Sequence, residues 1–166
     1  MTEKYKLTKV SIDFFGKKLF QIKALKSFGI VNKNELGGYI EKESNLSQEG
    51  NAWVFGNARV YGDARVYGDA WVYGDALVFG NARVSGDAMV YGNARVYGDA
   101  MVYGDALVFG DAMVYGNARV YGDAMVYGNV RVYGEIKLNV GFYFGFLFKG
   151  DKMKKIKCGD GELLYK

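Results

Sequence analysis

The sequence predicts an all-β fold, a single chain wound as a single-stranded parallel β-helix with the shape of a triangular prism. Three observations predict it. Glycine recurs every six residues from Gly50 to Gly134, with no interruption. The unit between glycines reads Gly-(Asn/Asp)-Ala-x-Val-(Tyr/Phe), so strand alternation puts Ala and Val on one side and the x residue and the aromatic on the other. Six of the x positions are arginines, Arg59, Arg65, Arg83, Arg95, Arg119 and Arg131. Unpaired arginines cannot all be buried, so the x and aromatic side faces out and the interior is a slim stack from Ala52 and Val54 to Val130 and Val132.

Each unit is expected to be a strand of about four residues followed by a Gly-Asn or Gly-Asp corner, since both corner residues tolerate positive φ. Three units close an 18-residue coil. Coils stacked about 4.8 Å apart pair their backbones as in a parallel sheet, and about five of them make a prism roughly 25 Å tall. Such an array needs no large core, because each unit buries its apolar side on its neighbours.

Residues 1–49 read as an N-terminal cap and an irregular lead-in coil. Tyr5, Leu7, Val10 and Ile12, then Leu19, Phe20, Ile22 and Ala24, suggest two strands joined by a turn near Phe14 to Lys17. A hairpin of that size must pack on something, and the open end of the array is the natural place. Lys26 to Asn34 reads as loop. Projecting the six-residue register backwards puts Ile40 and Leu46 on the Ala track and Gln48 on the Val track, where its amide is costly to bury.

Residues 50–134 form the repeat, and residues 135–166 a C-terminal cap with a basic tail. Ile136 and Leu138 still suit the inward tracks, and Val140 then falls in a glycine slot. Phe142, Phe144, Phe146 and Phe148 lie in a segment too apolar for water and too short for a membrane span. They are the candidate oligomerisation residues, plugging the open end or swapping into a second copy. Cys158 to Gly161 reads as a turn and Glu162 to Lys166 as a final strand.

Composition narrows the class. The chain has 166 residues, 24 of them glycine, with no proline and no collagen period. Residues 1–49 carry a net +3, the repeat −2 and residues 135–166 +3. The single cysteine precludes an intramolecular disulfide, and with no signal-peptide pattern at Met1 the expectation is a cytoplasmic protein.

Residues 18 apart share a face. The first face carries Trp53, Trp71, Met89, Leu107 and Met125, flanked by Phe55, Tyr73, Tyr91, Phe109 and Tyr127, with no charge in either track. An outward apolar ladder over five coils exceeds what a monomer ordinarily exposes, which makes these ten residues the candidate protein-binding surface, with the two tryptophans as anchors. Mutual shielding of stacked side chains is the plainer alternative. The other two faces interleave Arg with Tyr or Phe, a pattern also used on nucleic acid. Here the corner Asp residues leave the repeat slightly acidic, so nucleic acid is not the expected partner. The corner running Asn51, Asp69, Asp87, Asp105 and Asp123 is read as a solvated acidic edge in preference to a Ca²⁺ site.

The six-residue period, with an aliphatic residue and a small residue two positions before it, resembles the left-handed parallel β-helix of hexapeptide-repeat proteins. The Val-Tyr-Gly-Asn/Asp-Ala wording, preceded by Leu36-Gly37-Gly38-Tyr39-Ile40-Glu41, looks like the repeat proteins of bacterial phages and prophages. Here glycine stands two residues after the aliphatic, whereas the commoner unit has it immediately after. The resemblance implies left-handedness. Enzymes of that group are mostly acyltransferases that use a histidine base, and this chain has no histidine, the usual general base and metal ligand near neutral pH. The expectation is therefore no catalytic residue, no metal, no cofactor and no small-molecule substrate. What remains is a non-enzymatic binding or scaffolding protein with a protein partner or a second or third copy of itself. A phage-encoded inhibitor of a bacterial host defence system is one form of it; a virion or tail-associated module and a degenerate acyltransferase are the alternatives.

Overall fold

Every repeat glycine from Gly50 to Gly134 turns the chain at positive φ, between 57° and 80°. That conformation carries little penalty without a Cβ. The corners also stack closely: a Cβ added at Gly86 would lie 2.9 Å from the Gly104 amide nitrogen. Beside the glycines, mixed Asn and Asp corners bond along the stack, with Asn81 Nδ2 donating to Asp99 Oδ1 and Asn93 Nδ2 to Asp111 Oδ1, each at 3.0 Å. Alternating amide with carboxylate replaces a like-charge contact with a hydrogen bond.

The result, in this computed structural model, is a left-handed parallel β-helix of about six coils with capping elements at both ends. Its backbone is described for residues 3–144, 147–150, 154–158 and 161–165, and its side chains for residues 3–143. Most repeat strands are only two residues long, as in Trp53–Val54, Arg59–Val60 and Arg65–Val66, shorter than the four expected. The glycine corner takes the flanking Ala and aromatic into its bend, although the aromatic N–H still bonds the next coil, as from Phe55 to the Val72 carbonyl at 2.8 Å. Register is 18 residues throughout the repeat, with Trp53 on Trp71, Arg59 on Leu77 and Arg65 on Arg83. Ala and Val of every unit are buried and form one continuous core.

At the N-terminus, β1 (Tyr5–Phe14) and β2 (Lys17–Ala24) form the expected antiparallel hairpin. β2 pairs antiparallel with β3 (Leu36–Ile40), and β3 pairs parallel with Arg59–Val60, so the cap is continuous with one face of the prism. Glu41 ties the two together. Its carboxylate accepts from Lys17 Nζ at 2.7 and 3.0 Å and from the Gly62 amide at 2.6 Å.

The lead-in coil departs from the projected register. Ile40 lies opposite Val60 and Leu46 opposite Val66, a step of 20 residues rather than 18, so both occupy the Val track and not the Ala track. Gln48 is displaced from the core and half-buried instead. Its Oε1 accepts from the amides of Lys4 and Tyr5 at 2.8 and 3.3 Å, and its Nε2 donates to the Tyr5 carbonyl at 3.2 Å. A buried amide becomes tolerable when its hydrogen bonds are made.

The C-terminal coils contract. Val120 pairs with Leu138, but Asp123 pairs with Val140 and Met125 with Phe142, so one residue has been dropped and Val140 does not occupy a glycine slot. Tyr143 consequently lies opposite Val126, 4 % exposed, on the inward track, and its hydroxyl donates to the Val140 carbonyl at 2.8 Å. A tyrosine thus stands where the repeat has valine. Leu147–Gly150 adds to Arg131–Gly134, and Lys154–Cys158 pairs antiparallel with Gly161–Tyr165. The side chains of Phe144, Phe146 and Phe148 lie outside the described residues. No helix among the described residues is long and apolar enough to cross a membrane.

Candidate functional site

The first face is built by parallel pairing alone. Trp53, Trp71, Met89, Leu107 and Met125 are consecutive register partners, and the contraction in the last coil brings Phe142 onto the same track. Beside them, Tyr73, Tyr91, Phe109 and Tyr127 stack face to face at 4.7, 4.8 and 5.1 Å with rings within 7° of parallel. The spacing of the rings is the spacing of the coils, so the backbone ladder sets it. Burial within the stack pushes the Tyr73 and Tyr91 phenols above their ordinary range, with the neighbouring Tyr91 adding to the effect on Tyr73.

The face is not uniform. Trp53 was expected as an exposed anchor, and it is 0 % exposed. The chain covers it with its own N-terminal segment: Tyr5 and Phe28 meet its ring edge-on, with centroids 6.0 and 5.3 Å away. Phe55 also packs partly against the core and meets Trp71 edge-on at 5.9 Å instead of joining the parallel stack. Trp53 therefore belongs to the fold and not to the free surface. Trp71, Met89, Leu107 and Met125 are half-buried, whereas Phe142 is 67 % exposed.

Lys4 completes the cover. Its ammonium donates to the Ala52 carbonyl at 3.0 Å and to the Glu49 and Gly50 carbonyls at 3.3 Å, and lies 5.0 Å from the Phe28 ring centroid. Burial, with help from Lys26 and against Asp69, lowers its pKa to about 8. Tyr5 donates its hydroxyl to the Leu46 and Glu43 carbonyls at 2.8 and 2.9 Å, and burial pushes that phenol well up. None of this trio lies at repeat spacing, and Lys4, Tyr5 and Phe28 carry no motif; only the need for a cap foreshadowed them.

On the second face Tyr61, Phe79, Tyr97, Tyr115 and Tyr133 form an unbroken stack at 4.8 to 5.0 Å. Arg59 stacks on Phe14 of the cap at 4.5 Å. On the third, Tyr103 and Tyr121 stack at 5.1 Å. Among the described residues no group of three or more His, Cys, Asp or Glu side chains is placed to hold a metal ion.

Fold and surface together define a parallel β-solenoid scaffold with one apolar face. The family model described as YdcK Beta solenoid repeat matches this chain over residues 58–74, 82–96, 94–110, 106–122 and 118–134. The similarity covers less than half the chain and lies entirely within the repeat. No curated protein matches the chain.

Proposed function

We propose that this protein is a non-enzymatic scaffold that binds a protein partner through its first face, over Trp71, Met89, Leu107, Met125 and Phe142 with the Tyr73 to Tyr127 stack beside them. The observation that carries this reading is the fate of Trp53. The first rung of the ladder is already covered by a peptide segment bearing two aromatic rings, while the same track stays partly exposed over the coils that follow. A surface whose first rung accepts an aromatic cover in cis offers the same chemistry in trans. Half-buried Met, Leu and Trp beside rigid rings supply apolar area at small entropic cost. The partner is a second copy or a different protein.

The more particular form of this reading rests on the resemblance of the repeat to phage and prophage proteins. It makes the chain an inhibitor of a bacterial host defence system, acting in the cytoplasm. A virion component is the competing form. Mass photometry of the purified chain, followed by affinity capture from bacterial lysate, tests the surface. Trp71→Ser with Met89→Ser should abolish self-association or capture while leaving the far-UV spectrum intact. Equal assembly and equal capture by wild type and variant would overturn the proposal.

A further inference from the structure

Three irregularities of the repeat converge on one end of the third face. Arg65 and Arg83 are register partners in adjacent coils, the one place in the repeat where two arginines stack; elsewhere within it an arginine's neighbours along the face are Leu or Met. Ser85 is the single non-aromatic residue in the aromatic track between Phe55 and Tyr133. Tyr67, whose place in the stack Ser85 would have continued, is 41 % exposed, the one aromatic of the repeat left so open. The same part of the chain holds the two extra residues of the lead-in coil, which set the Glu43–Gln48 segment beside that face. Between them is a groove of about 600 Å³, with Ser44, Ser47 and Gln48 on one wall and Arg65, Tyr67 and Arg83 on the other.

The charges in the groove are unbalanced. Two guanidiniums meet one carboxylate, that of Glu43, and among the described residues neither arginine has an acid within ion-pair distance. Asp63, two residues before Arg65, is held by Lys42 at 2.6 Å. Stacking two cations one strand spacing apart is unfavourable unless an anion lies between them. Planar guanidiniums suit phosphate oxygens, seryl hydroxyls can donate to the same group, and an unstacked tyrosine offers a ring surface. The volume is that of a small-ligand site. We infer that this groove binds a phosphorylated ligand with a planar ring, of the mononucleotide class, the phosphate between Arg65 and Arg83 and the ring against Tyr67. Met101 follows Arg83 on the face, so the basic track stops after two rungs and does not suit a polymer.

Isothermal titration calorimetry with adenosine 5′-monophosphate, inorganic phosphate and a single-stranded oligonucleotide tests the assignment on the full chain. The monophosphate should bind, more tightly than inorganic phosphate, and less tightly as salt is raised. Arg83→Met puts in the residue that the repeat itself uses at Met101 and should weaken binding about tenfold or more, since a hydrogen-bonded charge is lost. Ser85→Tyr restores the stack, covers Tyr67 and should weaken the monophosphate several-fold while leaving inorganic phosphate unchanged. Arg119→Met, on the same face but beyond the groove, should change neither. The inference is overturned if the folded wild type binds no monophosphate at millimolar concentration, or if Arg83→Met binds it as well as wild type. Equal affinity for inorganic phosphate, or a far higher affinity for the oligonucleotide, would also overturn it.

Discussion

Trp53 and Trp71 are adjacent rungs of one ladder, in units that share the same Gly-(Asn/Asp)-Ala-Trp-Val-(Tyr/Phe) pattern, yet they should respond very differently to truncation. Trp53 is fully buried under Tyr5 and Phe28. A buried tryptophan removes about 150–250 Å² from water, worth about 4–6 kcal/mol at 25 cal/mol per Å². Measured Trp→Ala losses in cores run about 3–5 kcal/mol. Trp53→Ala should therefore cost about 4 kcal/mol and detach the cap, since Tyr5 and Phe28 lose the ring they rest on. Trp71 keeps part of its surface in water already, so Trp71→Ala should cost about 1–2 kcal/mol. A subtler variant isolates the polar atom: the Trp53 indole Nε1 is buried without a hydrogen-bond partner. Trp53→Phe removes that unsatisfied donor, a relief of about 1–3 kcal/mol that offsets much of the lost volume. Urea unfolding followed by circular dichroism gives the three values, and hydrogen exchange at residues 5–14 reports the cap directly. Equal losses for Trp53→Ala and Trp71→Ala would refute the reasoning, as would a Trp53→Phe variant no better than Trp53→Ala.

Other expectations follow from the corners and the cap. Gly86→Ala should destabilise by about 2 kcal/mol, because it adds a close approach to the Gly104 amide to the cost of positive φ. Gly128→Ala, at φ +72° with no described residue within 4 Å of the new Cβ, should cost only the backbone term of about 1 kcal/mol in the same urea unfolding experiment. Lys4 is a base whose folded pKa, about 8, lies below its unfolded 10.5, so between those values the unfolded chain binds the extra proton and stability rises with pH. Measured as the difference from Lys4→Met, that rise should be visible between pH 8 and 10.5 and absent in the variant. Burial raises the pKa of Glu41, but its hydrogen bonds with Lys17 and the Gly62 amide together outweigh that and leave it below the ordinary glutamate value. Its stabilisation is present above that ordinary value and is lost as pH falls through the folded one. Glu41→Gln should cost about 1–2 kcal/mol at neutral pH, consistent with a charged hydrogen bond at a partly exposed site, and the gap from wild type should close in acid.

The repeat was legible because its constraints are local. Glycine at each corner, Ala and Val inside and unpaired arginines outside are decided within six residues, and each was found where alternation puts it. The ladder strands are shorter than alternation alone predicts, because corner geometry reaches into the flanking Ala and aromatic positions. Register failed at both ends, where the period itself changes: nothing in Ile40 or Leu46 announces a 20-residue step, and nothing in Val140 announces a dropped residue. The candidate surface was legible as a track but not in its extent. The rings that cover Trp53 come from Tyr5 and Phe28, 48 and 25 positions earlier in the chain, and periodicity carries no information about them.

The triangular register gives the chain two different units of length. For folding the unit is six residues, since any whole number of hexads continues the corners and the core. For the surface it is eighteen, since only a full coil returns each track to its own side of the prism. An insertion of one hexad after Gly92 would leave the winding intact and rotate everything beyond it by a third of a turn. The track begun by Trp71 and Met89 would then continue on a different side from Leu107, Met125 and Phe142. Lineages that keep this surface should gain and lose repeats in threes, while those that need only a rod are free to change by one.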